Sequence, residues 1–365
     1  MNILLKKKIS LVAAVAGAAG PTTVGAQAQA QAQRLGRASE NFLPRDLESD
    51  DNDRALKSDG DANATAAIDA VPEVASIVNG TSTGGPLPYM VRLGYSDFPF
   101  SVPFDLSKPN CGGTLITSTA VLTAAHCFYD PDGWDPLDQV LVNLYDLNDP
   151  AGVVAINIQD PSEGGKDIVI HPDYNDDTLE NDIALMFLPI GQLADYAQIN
   201  DDPHEPVVHD PLRVMGWGKT AYGNSNRSDV LLETTLNYIP NEECQEIYTD
   251  FTAQYGYEIT DGMMCAYKKF TGACNGDSGG PLFHIDKDGE IGDYPTQVGI
   301  VSWGADRCAT DPRYPQVFTR VSYYAAWIKD TVCSRPEYAT KELCGSSKSG
   351  KSTNHIHPRV LQNLD

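Results

Sequence analysis

Short apolar runs separated by turn-forming residues dominate the chain from residue 77 onward. The runs are rich in Val, Ile, Leu, Thr and Tyr, and clusters of Gly, Pro, Asn and Asp divide them at fairly regular intervals. Clear examples are Gly113–Thr117, Val140–Leu144, Asp167–Ile170 and Gln297–Ser302. Runs of this length and spacing favour a β-sandwich or β-barrel over a helical or nucleotide-binding α/β fold. The pattern therefore predicts an all-β domain.

A helical spacing of apolar residues appears near the end of this region. Tyr324, Trp327 and Ile328 stand at positions i, i+3 and i+4, which places them on one face of a helix. We therefore predict one helix over Tyr323–Thr331.

The N-terminus has the pattern of an export signal. Lys6, Lys7 and Lys8 precede the apolar run Ile9–Gly20, and small residues follow up to Ala26. A basic start, a short apolar stretch and a small-residue exit are typical of a secretory signal peptide. The run is too short to span a bilayer, and the lysines disfavour the alternative of a buried helix. We interpret residues 1–26 as a signal peptide and expect a secreted, extracellular protein without a membrane anchor.

Low-complexity segments flank the β domain on both sides. Residues 27–76 contain few large apolar side chains and include the charge run Glu48–Asp53, so we interpret them as a largely disordered pro-segment. Residues 333–365 form a C-terminal extension that we expect to be flexible, because Gly345–Thr353 is rich in Gly, Ser and Lys. The N-glycosylation pattern of an exported protein occurs three times, at Asn63, Asn79 and Asn226.

The net charge of −24 is concentrated in the β domain. Residues 77–332 hold 37 of the 50 acidic residues of the 365-residue chain and 13 of its 26 basic ones. Binding to nucleic acid requires clustered Lys and Arg, so this charge argues against a nucleic-acid partner. The simpler interpretation is that an acidic surface keeps the protein soluble.

The chain has eight cysteines, an even number that is expected to form disulfides in an exported protein. No Cys-x-x-Cys pair occurs, which disfavours a structural zinc site. The spacing alone leaves about 105 pairings open. The cysteines are Cys111, Cys127, Cys244, Cys265, Cys274, Cys308, Cys333 and Cys344.

Three motifs carry candidate chemistry. His126 stands beside Cys127 at the end of the apolar run that begins at Leu122. Asp182 precedes the apolar run up to Met186, and Ser278 stands in the glycine-rich segment Gly276–Pro281. A serine hydroxyl becomes a strong nucleophile when a histidine takes its proton, and a buried carboxylate fixes the histidine tautomer. Each motif alone has an ordinary structural explanation. The three together, in the order His, Asp, Ser, indicate nucleophilic catalysis.

Further segments extend this pattern along the chain, namely Ile77–Gly80, Cys111–Ile116, His171–Tyr174, Gly216–Gly218 and Val301–Gly304. With them, residues 77–332 resemble a trypsin/chymotrypsin-family serine protease. The resemblance implies a fold of two antiparallel six-stranded β-barrels with a C-terminal helix. It also implies a secreted endopeptidase that is made as a zymogen and acts on protein or peptide substrates.

The resemblance assigns roles to the catalytic residues. It implies that His126 is the general base, that Asp182 orients it, and that Ser278 attacks the scissile carbonyl. The N–H groups of Gly276 and Ser278 would form the oxyanion hole. Ser302 would support the aspartate, and Ser302, Trp303 and Gly304 would form the edge that pairs with the substrate backbone.

The resemblance also implies an activation site and a disulfide pattern. The new α-ammonium of Ile77, released by cleavage of the pro-segment, would pair with Asp277 and organise the oxyanion hole. The implied disulfides are Cys111–Cys127, Cys244–Cys265 and Cys274–Cys308. Cys333 and Cys344 then remain, and we expect them to pair with each other and close a small loop.

Two positions depart from the trypsin pattern. Ser76 precedes Ile77, where trypsin-like activation usually follows Arg or Lys, so we expect an activating protease that accepts small residues. In the specificity pocket, Gly272 stands where trypsin has an acid, and Gln316 stands where the family commonly has Gly. We therefore expect cleavage after uncharged residues such as Leu, Met, Phe, Tyr or Gln. Asp306 keeps a basic preference open.

A catalytically inactive or inhibitory homologue that acts as a secreted binding protein is the alternative function. Such homologues usually lack a triad residue, and all three are present here. No His-Glu-x-x-His metal motif occurs, and we expect no cofactor and no metal. The expected partners are substrates, protein inhibitors and an activating protease, and we expect the protein to be a monomer.

Overall fold

The computed structural model describes residues 77–345 apart from residues 96–109, 129–136, 138, 150, 159–167, 190, 193–194, 222–226, 250–251, 253–256, 287–288, 290, 293, 306–307 and 311–312. The predicted signal peptide, the predicted pro-segment and residues 346–365 lie outside the described residues. Asn63, Asn226 and Asp306 do so as well.

Fifteen β-strands and three α-helices lie in the described part of the chain. The strands are β1 (Thr81–Ser82), β2 (Met90–Gly94), β3 (Cys111–Leu115), β4 (Ala120–Thr123), β5 (Gln139–Val142), β6 (Val154–Asn157), β7 (Ile168–Ile170), β8 (Ala184–Phe187), β9 (Gln198–Ile199), β10 (Pro211–Gly216), β11 (Leu232–Ile239), β12 (Met263–Tyr267), β13 (Pro281–His284), β14 (Thr296–Trp303) and β15 (Gln316–Arg320). The helices are α1 (Asn241–Ile247), α2 (Val321–Cys333) and α3 (Lys341–Cys344). The all-β prediction is confirmed.

The strands form two sheets, and the second sheet, which contains β10 to β15, includes a closed six-stranded barrel. Its path runs β11–β10–β13–β14–β15–β12, and β12 pairs again with β11, so every strand of the ring has two neighbours. All these pairings are antiparallel, and β1 and β9 attach to β11 and β14 at the outside. Closure removes the unpaired strand edges that would otherwise favour aggregation.

The first sheet has seven antiparallel strands in the order β6–β5–β2–β3–β4–β8–β7. We expected a second closed six-stranded barrel, and this half differs. Among the described residues, the end strands β6 and β7 do not pair with each other. In β6 only Ile156 is buried, so little apolar surface holds this strand against the rest of the sheet. The fold class is nevertheless the predicted chymotrypsin type.

Helix α2 confirms the predicted C-terminal helix and is longer by two residues at each end, running from Val321 to Cys333 rather than over 323–331. Its buried side chains include Tyr324 and Ile328, two members of the predicted apolar face. They pack in a cluster with residues of the first sheet, such as Leu185 of β8. Among the described residues, no helix combines the length and the apolar character needed to cross a bilayer.

The start of the C-terminal extension is packed, in contrast to the flexibility we expected for residues 333–365. The Thr340 side chain caps α3 by accepting the Leu343 N–H. The ring of Tyr338 lies 4.7 Å from the ring of buried Phe187, and the Arg335 guanidinium lies 4.5 Å from the same ring. These contacts fasten the extension to β8, where Phe187 is the last residue.

Candidate active site

Strand pairing brings His126 and Asp182 together. His126 lies in a 3-10 turn (Ala125–Cys127) after β4, and Asp182 lies just before β8. Because Thr123 of β4 is opposite Ala184 of β8, residues that follow β4 meet residues that precede β8. The His126 ring donates from Nδ1 to Asp182 Oδ2 at 2.8 Å, and its backbone N–H donates to Oδ1 at 2.9 Å. Both oxygens of the carboxylate therefore fix the histidine.

The Asp182 carboxylate is fully buried and multiply hydrogen-bonded. Ser302 Oγ donates to its Oδ2 at 2.5 Å, and Thr319 Oγ1 donates to its backbone carbonyl at 2.7 Å. Burial alone would raise the pKa of Asp182. The His126 imidazole and the hydrogen bonds from His126 and Ser302 outweigh burial and hold the pKa below its ordinary value. An ionised carboxylate that is shielded from water can stabilise a protonated imidazole through a hydrogen bond from the imidazole Nδ1.

The loop that carries Ser278 packs against the chain just before His126. Gly279 has a φ of +77°, and a Cβ there would collide with Thr123 Oγ1, so only glycine fits beside the end of β4. The Ser278 carbonyl accepts the Gly112 N–H at 2.7 Å, and the Gly279 N–H donates to Val301 at 2.8 Å. These contacts tie the serine loop to both sheets.

Gly276 has the backbone geometry that an exposed N–H donor requires. Its φ is +102°, a conformation that favours glycine. The Lys219 N–H donates to the Asn275 carbonyl at 2.9 Å, and because N–H and C=O of a trans peptide point in opposite directions, the Gly276 N–H points away from Lys219. The Asp277 N–H turns inward to the Cys274 carbonyl at 3.0 Å.

Asp277 is the second fully buried carboxylate of the site. It accepts the Gly218 N–H at 2.7 Å and the Cys274 N–H at 2.9 Å, and a Cβ at Gly216 or Gly218 would collide with it. Burial raises the pKa of Asp277 to about 7, against the opposing effect of these hydrogen bonds and of Arg227. A cation placed beside this carboxylate would return it to the ionised state.

The segment that begins at Ile77 is docked on the second barrel. The Ile77 side chain is fully buried in one cluster with Ala273, and Val78 exchanges backbone hydrogen bonds with Gly272 at 3.0 and 3.3 Å. Asn79, one of the three glycosylation candidates, donates from Nδ2 to the Phe270 carbonyl at 2.7 Å. The segment thus lies beside the pocket residues that the sequence singled out.

The Gln316 side chain is bonded to the backbone beside Gly272, another residue of the predicted specificity pocket. Its Oε1 accepts the Ala273 N–H at 2.8 Å, and its Nε2 donates to the Ala273 carbonyl at 2.5 Å. Gly272 lies so close to the same amide that a Cβ there would collide with Gln316 Oε1. Gly304 is also close to Gln316, because a Cβ there would lie 3.9 Å from the Gln316 Cα. The structure therefore brings together the three pocket residues that the sequence pointed to.

Aromatic rings surround Trp303 next to this pocket. The Tyr248 ring lies 5.1 Å from the Trp303 ring, and the Tyr257 ring lies 5.6 Å from it. The Tyr248 hydroxyl donates to the Pro315 carbonyl at 2.5 Å, one residue before Gln316. The three rings therefore pack together near the segment that carries Gln316.

Two groups of candidate metal ligands occur among the described residues. In the first, Cys111 and Cys127 form a disulfide, so neither offers a thiolate to a metal beside His126. The second joins Glu205, Asp210 and His284, in which His284 Nε2 lies 3.4 Å from Asp210 Oδ2, within hydrogen-bond distance.

All four expected disulfides are present, and they pair Cys111 with Cys127, Cys244 with Cys265, Cys274 with Cys308, and Cys333 with Cys344. Two side chains that bond to the site were not expected from the sequence. Thr319 holds the Asp182 carbonyl, and Asn110 donates from Nδ2 to the Gly276 carbonyl at 3.1 Å. The only sequence signal for Asn110 is its place directly before Cys111–Ile116, and Thr319 carries none.

Comparisons with known proteins match the same part of the chain. The sequence model of the family described as Trypsin matches residues 77–328. Trypsin zeta of Drosophila melanogaster is 33% identical over 265 residues, which cover 69% of this chain and 84% of the relative. Trypsin eta of the same species is 34% identical over 232 residues, covering 60% and 75%. Trypsin-1 of Astacus astacus is 33% identical over 262 residues, covering 69% and 98%.

Proposed function

Because this chain belongs to the trypsin family of serine proteases, we propose that it is a secreted serine endopeptidase that cleaves peptide bonds with Ser278, His126 and Asp182. The observation that carries the proposal is the fully buried Asp182 carboxylate bonded to both the ring and the backbone of His126. A buried carboxylate at this position has a catalytic use, since it holds the imidazole with Nε2 free to act as a base.

In the proposed reaction, His126 Nε2 takes the proton of the Ser278 hydroxyl while Ser278 Oγ attacks the scissile carbonyl carbon. The resulting oxyanion accepts hydrogen bonds from the N–H groups of Gly276 and Ser278. The imidazolium then gives its proton to the leaving amine, and the C–N bond breaks to leave an acyl-enzyme. A water molecule, deprotonated by His126, then attacks the ester carbonyl carbon. The bond to Ser278 Oγ breaks, the carboxylic acid product leaves, and the imidazolium returns the proton to Ser278 Oγ.

Activation is proposed to proceed through Ile77. Cleavage after Ser76 would create an α-ammonium that reaches Asp277 and restores its negative charge, which burial disfavours in the uncut chain. The docked Val78–Gly272 pairing supports this, because it holds the segment against the pocket. The activating protease would accept small residues, since Ala75 and Ser76 precede the bond. N-terminal sequencing of the mature protein tests the site, and a start elsewhere than Ile77 contradicts it.

The proposed specificity is for small, uncharged residues at P1, the residue before the cleaved bond. Gly272 offers no acid to pair with Arg or Lys, and the Gln316 amide, bonded to Ala273, takes up the depth that a long side chain needs. The sequence-based expectation named Leu, Met, Phe, Tyr or Gln; we now propose smaller residues such as Ala, Ser, Thr and Val, and only the preference for uncharged side chains is kept. Protein or peptide substrates, protein inhibitors and an activating protease are the proposed partners of a monomeric enzyme.

A fluorophosphonate probe and a peptide library test the proposal together. The mature protein should be labelled covalently at Ser278, and the variant Ser278→Ala should be neither labelled nor active. A mature wild type that takes up no label and cleaves no peptide would favour the alternative of a secreted binding protein. A library profile dominated by Arg or Lys at P1 would contradict the specificity while leaving the catalytic proposal intact.

A further inference from the structure

The Asn110 side chain bridges the Gly276 carbonyl and the Arg227 guanidinium. Asn110 is 6% exposed and lies directly before β3. Its Nδ2 donates to the Gly276 carbonyl at 3.1 Å, and its Oδ1 accepts from Arg227 Nη1. A guanidinium can only donate and a carbonyl can only accept, so just one orientation of the amide satisfies both neighbours. Arg227 therefore fixes which end of Asn110 faces Gly276.

Each of the two peptide groups that flank Gly276 is held by a hydrogen bond to its carbonyl. Lys219 holds the Asn275 carbonyl, which sets the direction of the Gly276 N–H, and Asn110 holds the Gly276 carbonyl. Gly276 has no Cβ to restrict its dihedral angles. Its φ of +102° is one of many conformations open to glycine, so the residue itself does not hold the backbone in place. The Asp277 N–H ties the Gly276–Asp277 peptide to the Cys274 carbonyl at 3.0 Å, and Asn110 adds a second anchor at the Gly276 carbonyl that resists rotation of this peptide.

We propose that Asn110, oriented by Arg227, is a positioning residue that keeps the Gly276 N–H directed at the oxyanion of the transition state. The inference rests on the proposed function, because it assumes that Gly276 is an oxyanion donor. Asn110 touches neither substrate nor Ser278 Oγ in this role. It acts through the backbone of Gly276, so its loss should affect the tetrahedral state more than the ground-state complex.

The variant Asn110→Asp tests this most directly. The carboxylate keeps the size of the side chain and can still accept from Arg227, but it has no Nδ2 donor for the Gly276 carbonyl. We expect kcat to fall by about 10- to 100-fold with KM within about 3-fold of wild type, because a misdirected donor costs part of what a deleted one costs. The affinity for a peptide aldehyde, whose adduct carries the oxyanion, should fall by the same factor as kcat.

Asn200→Asp is the matched control. Asn200 is also 6% exposed, and its Nδ2 donates to the carbonyls of Asp202 and Glu205 at 3.2 and 2.9 Å, in a loop that carries no triad residue. This variant should lower the melting temperature by a similar amount and leave kcat and aldehyde affinity within about 2-fold of wild type. A merely structural role for Asn110 would make the two variants behave alike.

Arg227→Met and Arg227→Lys provide a second route should Asn110→Asp fail to fold. The Met variant should lower kcat and aldehyde affinity together, and the Lys variant, which keeps a cationic donor, should recover part of both. If the wild type is active and Asn110→Asp keeps its kcat and aldehyde affinity, this inference alone is overturned. Arg227→Met takes the place of Asn110→Asp in this test if that variant does not fold. A mature wild type without turnover or fluorophosphonate labelling overturns the proposed function, and this inference with it.

Discussion

The side-chain amide of Gln316 is bonded at both its ends to the backbone of one residue, Ala273. The amide oxygen accepts the Ala273 N–H and the amide nitrogen donates to the Ala273 carbonyl. Displacing this side chain would leave up to four polar groups unpaired in a part-buried site, which costs far more than the net value of the hydrogen bonds. In the proposed pocket, a substrate side chain would therefore meet a fixed floor rather than a movable one.

Replacing this floor should enlarge the range of cleaved residues. In Gln316→Gly we expect kcat/KM for peptides with Leu or Phe at P1 to rise at least about 10-fold relative to peptides with Ala, because the pocket gains depth. A series of peptides that differ only at P1 measures this ratio. Gln245→Ala is the control, since Gln245 also bonds a backbone N–H, that of Ile259, but lies on α1. An unchanged ratio in Gln316→Gly contradicts the role of Gln316.

Removing the charge of Asp182 should remove most of the turnover while the fold survives. In Asp182→Asn the side chain can present its amide to His126 Nδ1 and stabilise the wrong tautomer, so kcat should fall by about 10⁴-fold at neutral pH. Ester hydrolysis by the mature variant measures the effect. Ser302→Ala, which removes only one of the hydrogen bonds to Asp182, should lose much less. Similar losses in the two variants would contradict the assigned order of importance.

The sequence was sufficient for the fold class and for naming the candidate triad, but not for the contacts around the site. The motifs around His126, Asp182 and Ser278 are short stretches of consecutive residues, so they can be recognised without coordinates. The bridge from Arg227 through Asn110 to Gly276 joins residues more than 100 positions apart, and no local pattern marks it. The open first sheet and the packed start of the extension likewise depend on contacts between distant segments.

The uncut chain should lose stability as the pH rises from about 4 to about 7. The pKa of Asp277 is raised to about 7 by burial, above its ordinary value of 3.8, so the folded state holds a proton that the unfolded state releases. The stabilisation is complete below pH 3.8 and is lost as the pH rises through 7, with a span of about 4 kcal/mol. The pKa of Asp182 is lowered below 3.8, so its titration changes the stability only below about pH 4, outside this range.

Urea unfolding between pH 4 and pH 8 tests this in the Ser278→Ala background, where the precursor cannot cleave itself. Asp277→Asn carries no titrating group at this position, so the slope between pH 4 and pH 7 should become shallower in that variant. Equal slopes with and without the substitution would show that Asp277 does not titrate in this range.

The disulfide of the extension should contribute stability rather than activity. Cys333 and Cys344 are 11 residues apart, and a loop of that size corresponds to about 3 kcal/mol of stabilisation of the folded state. The double variant Cys333→Ser/Cys344→Ser should therefore unfold at lower urea concentration with kcat within about 2-fold of wild type. A large loss of kcat in the folded variant would mean that the extension also positions Asp182 through Phe187 and β8.

The acidic surface should favour basic protein substrates at low salt. The net charge of −24 lies in residues 77–332, and such a field raises the encounter rate with cations at distances up to the screening length of about 10 Å at 0.1 M salt. We expect kcat/KM for a basic protein to fall several-fold between 0.01 and 0.5 M salt, while a neutral peptide with the same cleaved residue changes little. The pocket cannot cause this difference, because both substrates place the same side chain beside Gln316. Equal salt dependence for the two substrates would mean that the charge has no role in substrate selection.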